Sequence, residues 1–343
     1  MRGLRSSLRW SDAHPPAGLS EESLVSALAT YWRLSAASVV YLPVGFGSHH
    51  WEVADSAGAR WFVTADELYK KRMCVGESLD IAFERLRRAL TAAIDLRNQG
   101  CPFVIAPVPA DGGQVLVRAG DEFGVALYPF VDGVTYEWGE FSSPAHRQAL
   151  LKMVIAVHTA PDAARVRAMT DDYSIPHRDE LEMLLDPAAH GELPERGPFT
   201  RPLAQLVAGN KQAIESLLAR YDELSGQARR RPSRMVLTHG EPHPGNTMLT
   251  PDGWRLIDWD TAAFAPPERD LWSLDPGDGT VLQAYAAATG VRPLPHLLEL
   301  FRVRWDLADT AVDVSRFIRP HQGTAEDDAS WRNLSSVIER ISA

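Results

Sequence analysis

The stretch from Thr238 to Asp260, THGEPHPGNTMLTPDGWRLIDWD, leaves the backbone few choices. Gly240, Pro242, Pro244 and Gly245 fall close together. Each either lacks a helical amide or costs helix stability, so residues 238–246 read as an ordered loop. Pro251 and Gly253 stand second and fourth in Thr250-Pro251-Asp252-Gly253, as a type I turn favours. With Pro251 and Asp252 central, Thr250 faces Gly253, and pairing continues outward until Asn246 lies opposite Ile257, one residue from Asp258. Facing residues of a hairpin have Cα atoms about 4.5–5.5 Å apart, so an amide and a carboxylate converge there. Glu241 lies one loop earlier.

The surrounding pattern supplies the frame. Residues 20–35 open on Ser-Glu-Glu and continue with helical apolar spacing. VVYL and WEVADSAGARWFV read as strands, the latter folded at residues 55–58. Residues 78–99 form a long amphipathic helix stopped by Gly100, and short strands are expected near 103–105, 114–118 and 124–127. After the connector YPFVDG come helices at 144–158, 203–224, 281–288, 297–317 and 330–341. The expectation is an α+β fold: a small N-terminal antiparallel-sheet lobe over residues 19–127, a hinge at 128–133, and a larger helical lobe over 134–343. A chain of 343 residues with 45% hydrophobic content can fill two cores.

Three chemistries compete for residues 238–260. His239, Glu241 and His243 resemble a compressed zinc-protease motif, but two histidines four apart need a helix to face one way. Asp258 and Asp260 would share one face of a strand, the arrangement of a glycosidase pair. Asn246 and Asp258 are hard oxygen ligands suited to Mg2+, which keeps waters and takes further oxygens from phosphates. A nearby carboxylate outside the metal shell, Glu241, would orient or deprotonate a hydroxyl. This last reading is the phosphoryl-transfer constellation.

HGEPHPGN followed by LIDWD resembles the catalytic motif of aminoglycoside phosphotransferases and choline kinases. APPERDLW looks most like the spectinomycin phosphotransferase branch. The strong resemblance spans about forty residues; element order extends it from about residue 20 onward. It implies a two-lobed protein-kinase-like fold, ATP or GTP as donor, Mg2+, and a small-molecule hydroxyl as acceptor. For the branch, that acceptor is a cationic aminocyclitol or aminoglycoside-type antibiotic. A choline-like amino-alcohol kinase and a nucleotide-binding pseudokinase are the alternatives. The resemblance places Glu241 at the catalytic carboxylate and Asn246 and Asp258 at the metal, with His239 and Asp270 bracing the loop. It leaves Asp260 open. Gly45, Gly47 and Ser48, within GFGSHHW, match the loop over the phosphates, where small residues let backbone amides approach anions. Phe130 and Val131 match the segment that bonds the adenine edge.

Two positions depart from the family pattern. Glu241 stands where aspartate is expected, one methylene longer. Thr64 occupies the strand position of a phosphate-binding lysine. Lys70 and Lys71 are the only lysines in the small lobe, so they are the candidates to replace it, with Glu84 as a possible ion-pair partner and His49 and His50 as other donors. Glu84 is equally spaced to pair with Arg88.

The formal net charge is −10, and nine of those charges fall after residue 126. Such a field repels nucleic acid and attracts cations. Asp306, Asp309 and Asp313 share one helical face, with Arg302 and Arg316 spaced to relieve Asp306 and Asp313. RWDLAD resembles the helix that contacts the aminocyclitol in spectinomycin kinases, and Trp272 and Trp305 could stack on its ring. Two cysteines, Cys74 and Cys101, no apolar run behind the N-terminal arginines and no long apolar segment predict a cytoplasmic protein without membrane partners. The sequence leaves the number of subunits open.

Overall fold

Residues 14–45, 47–161, 167–185, 193–230 and 235–342 are described by the computed structural model. The chain forms two compact units, each discontinuous in sequence. The first takes in the described residues of 1–71, 78–171 and 234–293; the second those of 72–77, 172–233 and 294–343. The segment carrying Glu241, Asn246 and Asp258 is therefore compact with the N-terminal sheet, a division different from the lobes drawn on the sequence.

In the first unit, helix α1 (Glu21–Trp32) starts on Ser20, whose hydroxyl accepts the Ser23 amide. Strands β1 (Ala36–Leu42), β2 (His49–Asp55) and β3 (Arg60–Glu67) follow as an antiparallel meander. The β2–β3 turn closes because Asp55 accepts the amides of Ala57 and Ala59. Helix α2 (Leu79–Asn98), capped by Ser78, precedes β4 (Val117–Ala119) and β5 (Phe123–Pro129). The sheet order is β1-β2-β3-β5-β4. One core joins Leu24 and Leu28 of α1 to Trp51, Val53, Val63, Val125 and Leu127. Another joins Leu86 and Leu90 of α2 to Leu116 and Ala126. Each buried leucine or valine among them contributes roughly 1.5–3 kcal/mol. The strand expected at 103–105 reduces to one bridge between Val104 and Leu256.

The same unit continues with β6 (Val134–Thr135), α3 (Pro144–His158) and β7 (Met169–Thr170). Its β8 (Val236–Thr238), β9 (Thr247–Thr250), β10 (Gly253–Leu256) and β11 (Ala263–Ala265) come from the later segment, and together with β6 and β7 they form two small sheets.

The second unit is helical: α4 (Arg178–Leu185), α5 (Thr200–Gly209), α6 (Lys211–Arg230), α9 (Pro295–Phe317) and α10 (Ala325–Ser342). The helices α7 (Glu268–Leu271) and α8 (Thr280–Thr289) belong to the first. The single helix expected over 203–224 is two, because Asn210 folds its side-chain amide back onto the Leu206 carbonyl and breaks the ladder. Helix α9 packs against α4, α6 and α10, burying Leu300, Leu307, Val314 and Phe317. No helix among the described residues is long and apolar enough to cross a membrane.

Candidate active site

The loop after β8 is fixed before any reacting group is considered. Asp270, fully buried on α7, accepts the amides of His239 at 2.8 Å and Gly240 at 2.7 Å, and pairs with His158 at 3.0 Å. Burial opposes its charge, but His158, His239 and Arg269 hold the carboxyl below its ordinary range. Gly240 has φ +103°, and a Cβ there would lie 2.5–2.7 Å from the Arg269 guanidinium and the Thr261 hydroxyl. Arg269 in turn donates to the Thr238 hydroxyl and the Thr261 carbonyl and pairs with Asp171. His239 spends both ring nitrogens: Nε2 donates to the Ile257 carbonyl and Nδ1 accepts the Glu241 amide. Burial keeps its ring neutral. It braces the loop, which removes the zinc reading.

The hairpin register is the one derived from the turn, with Thr250 facing Gly253 and Thr247 facing Leu256. The Ile257 amide donates to the Asn246 carbonyl at 3.0 Å. Asn246 lies in the short turn Pro244–Asn246 and is buried. Its amide nitrogen is committed to the Glu241 carbonyl at 3.0 Å and to His243 at 3.2 Å. That leaves its oxygen as the ligand atom. Asp258 has φ +64°, so the chain turns there into the left-handed region instead of continuing as a strand. Asp258 and Asp260 do not share a strand face, and their carboxyl groups meet in a hydrogen bond, closer than the roughly 5 Å or more of a glycosidase pair. The Glu241 side chain is 36% exposed, with its carboxylate 3.9 Å from His243 Nε2.

Charge in this region is unbalanced. The Lys71 ammonium lies 2.8 Å from Asp260 and 3.0 Å from Asp66. Burial opposes its charge, yet Asp260 and Asp66 hold it protonated, well above the ordinary lysine range. Burial also opposes the Asp260 charge, and Lys71 overrides it, keeping that carboxyl low. Asp258, exposed at the surface of the turn, fares differently: loss of hydration among its neighbours first, then the Asp260 and Glu241 carboxylates, push it well above its ordinary value. Asp66, Asp258 and Asp260 thus gather around one ammonium, Asp66 buried, Asp260 half-buried and Asp258 exposed. A divalent cation on the Asn246 oxygen and Asp258 would relieve the crowding of Asp258 by Asp260 and Glu241. One amide oxygen and one carboxylate are hard donors, and they fit an ion that takes its other ligands from water and phosphate, as Mg2+ does.

On the nucleotide side, Gly45 and Gly47 both have positive φ, +73° and +84°; Phe46 between them lies outside the described residues. The Ser48 hydroxyl donates to Asp66 at 2.5 Å. His49 bonds the Tyr41 hydroxyl and faces Glu67. His50 stacks on Phe62, and burial lowers its pKa to about 4, so it brings no positive charge near neutrality. Thr64 sits on β3 between His50 and Ala126, sharing a hydrogen bond with Tyr128. Lys70 pairs with Glu67 and is partly exposed; Lys71 is the lysine that reaches the carboxylates. Glu84 meets neither lysine nor Arg88. It pairs with Arg87 three residues on, and Arg88 turns to the Arg167 and Ala168 carbonyls. The Phe130 amide, expected at the adenine edge, donates to the Arg60 carbonyl, and the Arg60 guanidinium covers its ring at 3.7 Å. Val131, half-buried, is next along that segment.

The residues expected at the acceptor belong to both units. Trp272, half-buried, caps α7 in the first unit. Asp306, Asp309 and Asp313 lie on α9 in the second. Asp306 pairs with Arg340, not Arg302, and Arg316 turns away to Glu326 and Asp327. Asp313 is buried, accepts the Asn333 amide, and is pushed by burial up to about 6. Asp309 and Trp305 are half-buried. Sequence reasoning missed Asp66, His158 and Arg269. No spacing rule links residues this far apart in sequence, and only the scarcity of lysine pointed toward Lys71.

Comparison with known proteins gives a consistent result. The model of a family described as "phosphotransferase enzyme family" matches residues 38–301. Protein StrN of Streptomyces griseus is 33% identical over 259 residues, covering 73% of this chain and 76% of that protein. A spectinomycin phosphotransferase solved with ADP and spectinomycin shares the fold at a TM-score of 0.67 and 17% identity, over 94% of this chain and 98% of that one. A microcompartment-associated aminopropanol kinase does so at 0.57 and 16%, over 93% and 97%. The α+β architecture expected from the element order, and the kinase-like fold that the resemblance implies, are the observed ones.

Proposed function

The chain belongs to the phosphotransferase enzyme family, and on that premise we propose that it moves the γ-phosphoryl group of ATP to a hydroxyl of a small cationic acceptor of the aminocyclitol or aminoglycoside kind. The observation that carries the transfer is the convergence of Asn246 and Asp258 beside Glu241, on a loop held by Asp270. Glu241, whose side chain is 36% exposed, orients the acceptor hydroxyl and takes its proton as the bond to phosphorus forms. Asn246 and Asp258 would hold Mg2+, which supplies positive charge at the phosphate oxygens. Gly45, Gly47 and Ser48 present backbone to the phosphates, and Val131 with the Phe130 carbonyl remains for the base. GTP would fit the same donors.

The acceptor class rests on charge. The chain carries −10, mostly after residue 126, and Asp306, Asp309 and Trp272 are the residues proposed to meet an aminated ring. Phosphorylating such an antibiotic would serve resistance or self-protection. The test is Mg·ATP consumption across aminocyclitols and aminoglycosides, with choline, aminopropanol and homoserine in parallel. Turnover with a ring-bearing polyamine supports the reading, and turnover confined to the linear amino alcohols replaces it with a metabolite kinase. ATP binding without consumption for any acceptor would make the chain a pseudokinase.

A further inference from the structure

We infer that Lys71, carried on the turn after β3, supplies the cation for the nucleotide phosphates that the strand position Thr64 lacks, and that Asp66 and Asp260 are its positioning residues. The inference deepens the phosphotransferase reading and rests on it. A transferring phosphoryl group carries charge on several oxygens, and catalysis of its transfer is mostly positioning and charge stabilisation. At β3 this chain offers Thr64, whose hydroxyl is bonded to Tyr128, beside a His50 that stays neutral.

The turn decides between the two lysines. The Lys70 amide bonds the Glu67 carbonyl and the Lys71 amide the Leu68 carbonyl, so the side chains leave in different directions. Lys70 goes to Glu67 at the surface. Lys71 goes inward, where its ammonium spans Asp66 of β3 and Asp260 of the 258–260 turn. An ammonium has three donors; these contacts take two and leave one for a phosphate oxygen.

Both carboxylates connect to the proposed reacting groups. Asp260 follows Asp258 by two residues. Asp66 also accepts the Ser48 hydroxyl at 2.5 Å, so the carboxylate that holds Lys71 also anchors the loop of Gly45 and Gly47. A structural strut needs only one carboxylate per ammonium. Here one ammonium is held by two, Asp66 on β3 and Asp260 on the 258–260 turn, which fixes its position. A family-typical lysine would come from the strand itself; this one arrives seven residues later in sequence.

The experiment compares wild type, Lys71→Ala, Lys71→Met and the double variant Thr64→Lys/Lys71→Ala. The thermal shift produced by ATP, with and without Mg2+, is measured first, then ATP and acceptor KM. Wild type failing to bind ATP would sink the phosphotransferase reading itself, before any variant is considered. Given wild-type binding, Lys71→Met, which keeps the aliphatic stem, is expected to raise ATP KM on the order of tenfold or more and shrink the ATP-induced shift. Acceptor KM should change less than twofold. The double variant should recover most of the lost ATP affinity, because a lysine at the strand position restores the charge by the other route. Normal ATP binding in Lys71→Met overturns the proposal. So does loss that Thr64→Lys fails to restore, which would make Lys71 a strut. If Lys71→Ala does not fold, Lys71→Met with Thr64→Lys decides alone.

Discussion

The Asp270 carboxylate accepts the backbone amides of both His239 and Gly240, thirty-one and thirty residues earlier in the chain. Two charge-assisted bonds from one buried carboxylate fix the two peptides that aim Glu241. Function at Glu241 therefore depends on a residue with no direct part in the chemistry.

Asp270→Asn tests that dependence. It keeps one acceptor oxygen but sets an NH2 against a backbone donor, at a cost of about 1–3 kcal/mol in stability. Asp270→Ala leaves both amides and His158 without their carboxylate and is expected to cost more, about 3–5 kcal/mol. In Asp270→Asn, kcat should fall further than ATP affinity, since the loop and not the nucleotide site is released. Equal kcat in Asn variant and wild type, at a temperature where both are folded, would show that the loop is held by other contacts.

Asp258→Asn is the informative metal variant because asparagine tolerates the left-handed backbone that Asp258 adopts. Alanine would add strain there. Removing this charge also relieves the repulsion of Asp258 by Asp260 and Glu241. The nucleotide-free protein should therefore melt higher, while the Mg2+-dependent part of ATP stabilisation disappears and kcat drops on the order of 10²–10³-fold. A Mg2+ titration indistinguishable from wild type would move the metal elsewhere.

What the sequence made legible was local. The hairpin register followed from one Pro-Asp-Gly turn, and the helices of residues 78–99 and 144–158 from caps and apolar spacing. Where a side chain chooses among distant partners, local rules failed. Arg316 was spaced to meet Asp313 but meets Glu326 and Asp327, and Glu84 takes Arg87 over Arg88. The Lys71–Asp260 contact spans 189 residues, so it depends on how β3 and the 258–260 turn pack. Asp258 illustrates the same limit: its place opposite the hairpin was readable, its left-handed backbone was not.

Asp313 predicts a pH effect away from the proposed chemistry. Burial raises its folded pKa to about 6 from the ordinary 3.8. The folded state thus binds more protons than the unfolded one between those values, and this carboxyl's contribution declines as pH rises from about 4 to 6. Above that range the buried charge is a standing cost. Asp313→Asn keeps an acceptor for the Asn333 amide and removes the charge. It should stabilise the protein by about 1–2 kcal/mol at pH 7.5 and by little at pH 4.5. Denaturant unfolding at the two pH values measures the difference, and a stabilisation equal at both would assign the effect to packing.

Glu241 is where length and chemistry can be separated. Its backbone is fixed on both sides: the amide donates to His239 Nδ1, and the carbonyl accepts from Asn246 and from the His243 amide. Shortening the side chain therefore withdraws the carboxylate by about one bond length without moving the loop. A displacement near 1 Å can cost on the order of 10²-fold in rate. Glu241→Gln keeps the length and removes the base, so it should lower kcat by about 10²–10⁴-fold with ATP KM little changed. Glu241→Asp keeps the base and changes the reach. If the acceptor sits where the longer side chain delivers its carboxylate, the aspartate variant is slower than wild type but faster than the glutamine variant. Steady-state kinetics on the best acceptor place the three enzymes in order. An aspartate variant faster than wild type would mean that the acceptor position still suits the shorter residue, and that the glutamate is an impairment instead of an adaptation. Wild-type kcat in Glu241→Gln would remove the carboxylate from the proton transfer altogether.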